Sequence, residues 1–210
     1  MAIPSYLTVT PTSGSGNGRV SISSKTKHTG RVARSSTLKG SMTNYPAVEE
    51  VTINVTESPK AEFVSFSSST YSVTKTGSTL SVTGTSNSSK LTFSYPSNGI
   101  GIAAITSYKV GTATATSGTA ILGDPGATAQ YTFTLTLTYS TNTTVKARST
   151  QIKVTANSSS VTATTTITQA AGDPYLWLNS SGTSTFSVTV PQTGTAQRVQ
   201  VLSNDAWEFE

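Results

Sequence analysis

The 210-residue chain has no cysteine and only one histidine, His28. Without a thiol the chain has no disulfide, no thiolate metal site and no cysteine nucleophile. Acidic residues are also scarce, with nine Asp and Glu in total. His28 lies in the polar segment 25–30, which predicts a plain turn and offers no acidic neighbour to orient a general base. We therefore expect no enzymatic activity, no metal site and no cofactor.

Long apolar runs are missing as well. No stretch approaches the roughly 18 apolar residues that a membrane-spanning helix needs. The first residues, 1–6, carry neither the basic region nor the apolar region of a secretory signal. We therefore expect a protein that is made and kept in a cytoplasm, with no membrane partner.

Serine and threonine dominate the sequence, with 34 and 41 residues respectively, beside 16 glycines. Threonine favours strands, and helix-forming runs are almost absent. Strict alternation of apolar and polar residues in segments such as 131–139 and 51–55 predicts half-buried strands. The fold class that follows is all-β and built from sandwiches. The length suits two domains of roughly 100 residues each.

An internal repeat relates the C-terminal segment to the beginning of the middle segment. Segment 70–73, TYSV, reappears as TFSV at 185–188, and the Ser-Asn pair at 86–87 reappears at 203–204. The apolar alternation of Leu91 and Phe93 reappears as Trp207 and Phe209. Residues 173–210 therefore have the pattern of the N-terminal half of a domain.

The N-terminal segment repeats the end of the middle segment instead. Residues 146–153, KARSTQIK, correspond to 32–39, VARSSTLK, and both are followed by a turn and a last strand. We interpret the chain as two sandwich units, one of them split. The complete unit spans 61–172 with an insertion at 96–130. Residues 1–58 form the C-terminal half of the split unit, and residues 173–210 complete it within the same chain or a neighbouring chain.

The two halves carry opposite charge. Residues 1–60 contain seven Lys or Arg and three Glu, a net charge of +4, whereas residues 173–210 contain one Arg and four acidic residues, a net charge of −3. Opposite charge on two surfaces favours their encounter. The basic residues are not interleaved with aromatic residues, so we expect no specific nucleic-acid partner.

Strand complementation between the halves defines the candidate interaction residues. On the C-terminal half they are apolar residues at alternating positions: Phe186, Val188, Val199, Val201, Trp207 and Phe209. On the N-terminal half their expected partners are Leu7, Val9, Val20, Ile22, Val51, Ile53 and Val55. For Trp207 in particular we expect packing in a core. Tyr175 and Trp177 share one face of a strand and are expected either at an interface or as contacts to a glycan.

Several short motifs resemble a known family. They are TVTPTSGSGNG at 8–18, the Ala-Arg-Ser strand openings, the closing TITQAAG at 166–172 and the Ser-Asn-x-x-Trp strand at 203–207. Together they resemble the BACON family of immunoglobulin-like domains, found in Bacteroidetes and in the crAss-like phages that infect them. This chain departs from the family by reversing the order of the two halves. The resemblance implies glycan or mucin binding in secreted bacterial proteins and structural roles in virions when phage-encoded.

The leading interpretation is a structural virion protein of a bacteriophage, made in the host cytoplasm and located on the capsid surface. It would act as an auxiliary or decoration protein that braces capsid subunits through strand complementation. Its expected partners are further copies of itself, head to tail, and a major capsid protein or other virion protein. The alternative is an adhesion module that binds host-associated glycans or mucin through Tyr175 and Trp177.

Overall fold

The computed structural model describes residues 2–210 and is all-β, as the composition predicts, with a single 3-10 turn at Pro125–Ala127. The strands are β1 (Leu7–Thr10), β2 (Ser21–Ser24), β3 (Arg34–Gly40), β4 (Val51–Glu57), β5 (Val64–Phe66), β6 (Thr70–Val73), β7 (Ser78–Ser86), β8 (Thr92–Asn98), β9 (Ser107–Val110), β10 (Ala113–Thr116), β11 (Tyr131–Tyr139), β12 (Arg148–Thr155), β13 (Thr162–Gln169), β14 (Leu176–Leu178) and β15 (Val201–Ser203). Across residues 2–210, no helix has the length and apolar character needed to cross a membrane.

The middle of the chain forms a sandwich of two sheets. One sheet has the strand order β10-β9-β11-β7-β5, and the other has the order β6-β13-β12-β8. All pairings are antiparallel except that of β6 with β13, which is parallel. The chain passes from an edge of the first sheet to an edge of the second between β5 and β6.

Alternation along the strands builds the core of this sandwich. In β11 every second side chain is buried, from Tyr131 through Phe133 and Leu135 to Tyr139, while the intervening threonines face outward. The predicted strand at 131–139 is therefore confirmed. The other sheet contributes apolar side chains to the same core: Ile152, Val154 and Ile167.

The N-terminal segment consists of two hairpins. Strand β1 pairs with β2, and β3 pairs with β4, both antiparallel. The glycine-rich segment 14–18 lies in the connection between β1 and β2, where its composition predicts a turn. Ser24 ties the two hairpins together, because its hydroxyl donates to the Glu57 carboxylate of the second hairpin at 2.7 Å, and the Arg34 Nε donates to the same carboxylate at 2.5 Å within that hairpin.

The C-terminal segment has only one short pairing, between β14 and β15. The repeat predicts further strands at 185–188 and from Trp207 onward, and this prediction is wrong for the single chain. The corresponding strands of the middle unit, β6 and β8, are held at the free edges of β13 and β12. Segments 185–188 and 207–210 have no such edge beside them in one chain and stay irregular.

Candidate interaction surface

Buried and exposed apolar side chains are divided between the middle and the ends of the chain. Within residues 2–210, 16 of the 17 buried apolar side chains lie in the middle unit, and the remaining one is Leu7. Conversely, 14 of the 15 exposed large apolar side chains lie in the terminal segments, and the remaining one is Leu122. The terminal segments have strand patterning but almost no core of their own, which marks them as interaction surfaces.

The N-terminal segment offers an open apolar cleft of about 270 Å³ between its two hairpins. Its lining includes Val9, Val20, Leu38, Gly40, Val51 and Ile53. Of the predicted interaction residues, Leu7 is already buried and Val9 and Ile22 are half-buried, whereas Val20 is exposed. The structure thus brings Val9 and Val20 together at one cleft, and it leaves that cleft uncovered.

The predicted residues of the C-terminal segment are a second group of accessible apolar side chains. Phe186, Val188, Trp207 and Phe209 are exposed, and Val199 and Val201 are half-buried. In the single chain Trp207 does not pack in a core, and its expected place in the core of a completed domain stays a prediction. Half of its surface is exposed, and its ring meets Phe209 edge-on with centroids 5.1 Å apart.

Tyr175 and Trp177 stack on each other, with ring centroids 4.2 Å apart and an interplanar angle of 19°. The pairing of β14 with β15 repeats that of β5 with β7, since Leu176 faces Ser203 as Val64 faces Ser86. Trp177 therefore corresponds to the exposed Ser65 and lies on the outer side of its sheet. Leu176, which the sequence interpretation missed, is 48% exposed at the position of the buried Val64. The alignment of Leu176 with Val64 in the repeat was the sequence signal that could have identified it.

A fully buried asparagine, Asn87, attaches the N-terminal segment to one pole of the sandwich. Its Oδ1 accepts the Phe63 N–H at 2.9 Å. Its Nδ2 lies within 3.3 Å of three backbone carbonyls, those of Thr29, Lys60 and Ala61, and donates to them. One side chain therefore joins the last residues before the middle unit to the loop at 29.

The same junction depends on a close approach of two backbones. The N–H groups of Arg31 and Val32 donate to the carbonyls of Gly126 and Ala127 at 3.0 Å. A Cβ on Gly30 would lie 2.3 Å from the Ala127 carbonyl oxygen, so glycine is required there. The Arg31 guanidinium also forms an ion pair with Asp124. These contacts hold the N-terminal segment rigidly against the sandwich.

The C-terminal junction repeats this arrangement at another asparagine, Asn204. Its Oδ1 accepts the Tyr175 N–H at 3.1 Å, and its Nδ2 donates to the carbonyls of Thr143 and Asp173 at 2.9 Å. The two junctions have a second hydrogen bond in common. In the C-terminal junction it runs from the Gly172 N–H to the Thr144 carbonyl at 2.7 Å. In the first junction the Lys60 N–H and the Gly30 carbonyl make the matching bond at 2.8 Å. Consecutive parts of the chain are thus joined twice by the same hydrogen-bond pattern.

His28 belongs to this pattern and lies in a loop, where the sequence predicts a turn, but its side chain is buried. His28 is 9% exposed, and its Nε2 donates to the Val32 carbonyl at 2.6 Å. The buried Asn142 makes the matching bond to the Lys146 carbonyl at 2.8 Å. His28 therefore shapes a loop through this hydrogen bond to a backbone carbonyl four residues away.

The two junctions lie at opposite poles of the sandwich. The first contacts Gln130, at the start of β11, whose N–H donates to the Thr29 hydroxyl at 3.0 Å. The second contacts Thr143, beyond the end of β11. The nine residues of β11 separate these points by roughly 26 Å at about 3.3 Å per residue. Within residues 2–210, no strand of the N-terminal segment pairs with a strand of the C-terminal segment.

Two of the three carboxylates of the N-terminal segment, those of Glu50 and Glu57, form local ion pairs. Hydrogen bonds from Arg34 and then from Ser24 lower the pKa of Glu57. The Lys39 ammonium, which donates to Glu50 at 2.7 Å, lowers the pKa of Glu50 in the same way. These pairs brace the hairpins around the apolar cleft and keep both glutamates ionised at neutral pH.

No protein-family model matches this chain, and no curated protein matches it in sequence. Its two groups of accessible apolar side chains, one on each terminal segment, are therefore the features from which a function is inferred.

Proposed function

We propose that this protein is a structural protein of a bacteriophage virion that links copies of itself head to tail by strand complementation. The observation that carries the proposal is the position of the exposed apolar residues. They lie in two groups, one on each terminal segment of a completed sandwich, and each segment has the strand pattern of half a domain.

The strand order of the middle unit supports an immunoglobulin-like interpretation of both units. The order β5-β7-β11-β9 matches the A-B-E-D sheet of that fold, and β8-β12-β13 matches its C-F-G sheet. By the same comparison, the hairpin β3–β4 corresponds to F and G, while β14 and β15 correspond to A and B. The strand sets of the two ends are therefore complementary, and one set would complete the other into a second domain.

Completion between chains agrees better with the junctions than completion within one chain. Both junctions are short and tightly hydrogen-bonded, and they hold the two halves at opposite ends of β11. The complementary half of a neighbouring copy is not held at the opposite end of the same sandwich, so it can reach the uncovered half. The resulting contact is heterologous and generates rings or open chains, according to its rotation. It also covers strand edges that would otherwise invite aggregation.

The location in a virion is supported by the resemblance to BACON domains of crAss-like phages. In that setting the protein would be an auxiliary or decoration protein on the capsid surface. Its middle unit would contact a major capsid protein or another virion protein, and the split units would brace neighbouring positions. A curved lattice would select the ring or network that closes.

Glycan binding is the second candidate, and one observation favours it. Trp177 lies on the outer side of its sheet, where the middle unit carries Ser65, and its ring stacks on that of Tyr175, so that two aromatic rings lie together there. Flat apolar rings suit the apolar faces of sugars. This surface does not overlap the core-facing side of β14, so the two functions are compatible on one molecule.

Sedimentation velocity over a hundredfold concentration range tests the proposal. The full chain is expected to give a concentration-dependent series of oligomers, whereas a chain lacking residues 173–210 stays monomeric. Trp207→Asp should also stay monomeric. Leu122→Asp is the matched control, because Leu122 is 98% exposed but lies outside both surfaces, and it should assemble normally.

A full-length chain that sediments as a compact monomer throughout would contradict the proposal. In that case glycan binding becomes the better interpretation. Its signature is quenching of tryptophan fluorescence by mucin glycans in the full chain and loss of that quenching in Trp177→Ala.

A further inference from the structure

We infer that the interface between copies has a defined register, in which segment 185–188 pairs in parallel with β4 and segment 207–210 pairs antiparallel with the end of β3 in the next copy. Phe186 then lies opposite Val55, and Phe209 lies opposite Gly40. This inference rests on the proposed head-to-tail function, and it specifies which backbone groups meet.

The registers are visible in the middle unit, where the complete set of strands is present. Strand β6 runs parallel to β13, with Tyr71 opposite Ile167. Strand β8 runs antiparallel to β12, with Phe93 opposite Val154 and Thr92 opposite Thr155. These pairs give the positions that the split unit must reproduce.

The hairpin β3–β4 reproduces the hairpin β12–β13 residue by residue. Arg34 pairs with Glu57 as Arg148 pairs with Gln169. At the other end, Gly40 pairs with Val51 as Val154 pairs with Ala163. Val55 therefore stands at the position of Ile167, and Gly40 stands at the position of Val154.

The C-terminal segment supplies the counterparts of β6 and β8. TFSV at 185–188 matches TYSV at 70–73, which places Phe186 at the position of Tyr71. Trp207 and Phe209 match Leu91 and Phe93. In the single chain neither segment forms a strand, although the counterparts β6 and β8 are regular. Both segments are thus free to be ordered by an incoming edge.

Side-chain size and charge agree with this register. Val154, which lies opposite Phe93 in the middle unit, is replaced by Gly40, which lines the open cleft. The smaller residue leaves room for the ring of Phe209 in the proposed pairing. Glu210 falls opposite Lys39, at the positions of Ser94 and Lys153, so opposite charges face each other.

Disulfide trapping tests the register, because the natural chain has no cysteine and any disulfide comes from the introduced pair. The matched variant is Ser41→Cys/Glu208→Cys, at the positions of Thr155 and Thr92. The control is Lys39→Cys/Glu208→Cys, which is displaced by two residues on the same face. Directly opposite Cβ atoms are within reach of a disulfide, whereas those displaced by two residues are roughly 7 Å apart.

Under mild oxidation the matched variant should form covalent oligomers at a rate at least roughly tenfold higher than the control. Asn54→Cys/Thr185→Cys, with Asn54→Cys/Ser187→Cys as its control, tests the parallel pairing in the same way. Sedimentation of the reduced variants separates the two proposals. If the reduced variants assemble but only the displaced cysteine pairs cross-link, or no cysteine pair does, the register is wrong and the head-to-tail function stands. If they do not assemble, or the disulfide forms within monomers, both proposals are overturned.

Discussion

At the scale of single residues, two asparagines and a few glycines decide how the terminal segments are held. Asn87 and Asn204 each join three or more backbone groups from separate parts of the chain. Gly30 and Gly126 allow the backbones to approach, since a Cβ on Gly126 would lie 2.1 Å from the Asn87 carbonyl oxygen. At these junctions, hydrogen bonds to backbone groups and close backbone contacts thus take the place of an apolar interface.

Gly30→Ala should release the N-terminal segment from the sandwich. The added methyl group collides with the backbone at Ala127, which cannot move without breaking the bonds from Arg31 and Val32. We expect a loss of about 1–3 kcal/mol in the free energy of unfolding and faster amide exchange at 31–32. Gly14→Ala is the control, because its Cβ meets nothing within 4 Å, and it should change stability by less than about 0.5 kcal/mol. Equal effects of the two substitutions would argue against a rigid junction.

At the scale of strands and hairpins, pairing depends on whether a neighbouring edge is present. TYSV at 70–73 is a regular strand because β13 lies beside it, whereas the nearly identical TFSV at 185–188 is irregular in the single chain. The middle unit holds 16 of the 17 buried apolar side chains within residues 2–210. It therefore has the core of an independent domain, and the terminal hairpins do not.

Separate expression of the parts should reveal this difference. Residues 61–172 are expected to melt in one cooperative transition and to show dispersed amide resonances, since a unit of this size buries enough apolar area to fold alone. Residues 1–58 alone should show no cooperative transition. Circular dichroism melts and amide spectra check both expectations. A cooperative transition in residues 1–58 would show that this half needs no complement.

At the scale of the whole molecule, opposite charge at the two ends should influence assembly. The N-terminal 60 residues carry +4 and the last 38 carry −3, on segments joined at opposite poles of one sandwich. Such a dipolar arrangement favours head-to-tail encounter over head-to-head encounter. Apolar burial would still provide most of the stability of the contact, because exposed charge pairs contribute little.

Assembly should therefore weaken in salt without disappearing. Between about 0.1 M and 1 M NaCl the Debye length falls from about 10 Å to about 3 Å, and we expect the dissociation constant to rise several-fold. Glu210→Gln should reduce this salt dependence, whereas Lys109→Gln in the middle unit should leave it unchanged. Sedimentation equilibrium at several salt concentrations measures both. A dissociation constant that does not respond to salt would exclude an electrostatic contribution.

Local patterns of the sequence alone predicted part of this structure. Alternation in 131–139 predicted β11 and its buried face, because successive side chains of any strand point to opposite faces of the sheet. The repeat of Ser-Asn at 86–87 and 203–204 also pointed to positions that make matching hydrogen bonds. The proposal that the ends complete each other arises from the same repeats.

Other features depend on segments that are distant in the sequence. The collision that keeps position 30 a glycine and the attachment of the N-terminal segment at the start of β11 both arise where residues some 100 positions apart meet. Likewise, whether 185–188 becomes a strand is not written in its four residues, since a strand needs hydrogen-bond partners from another segment. Periodicity encodes which side chains face a core. Three-dimensional packing determines at which strand edge, and in which chain, that core is completed.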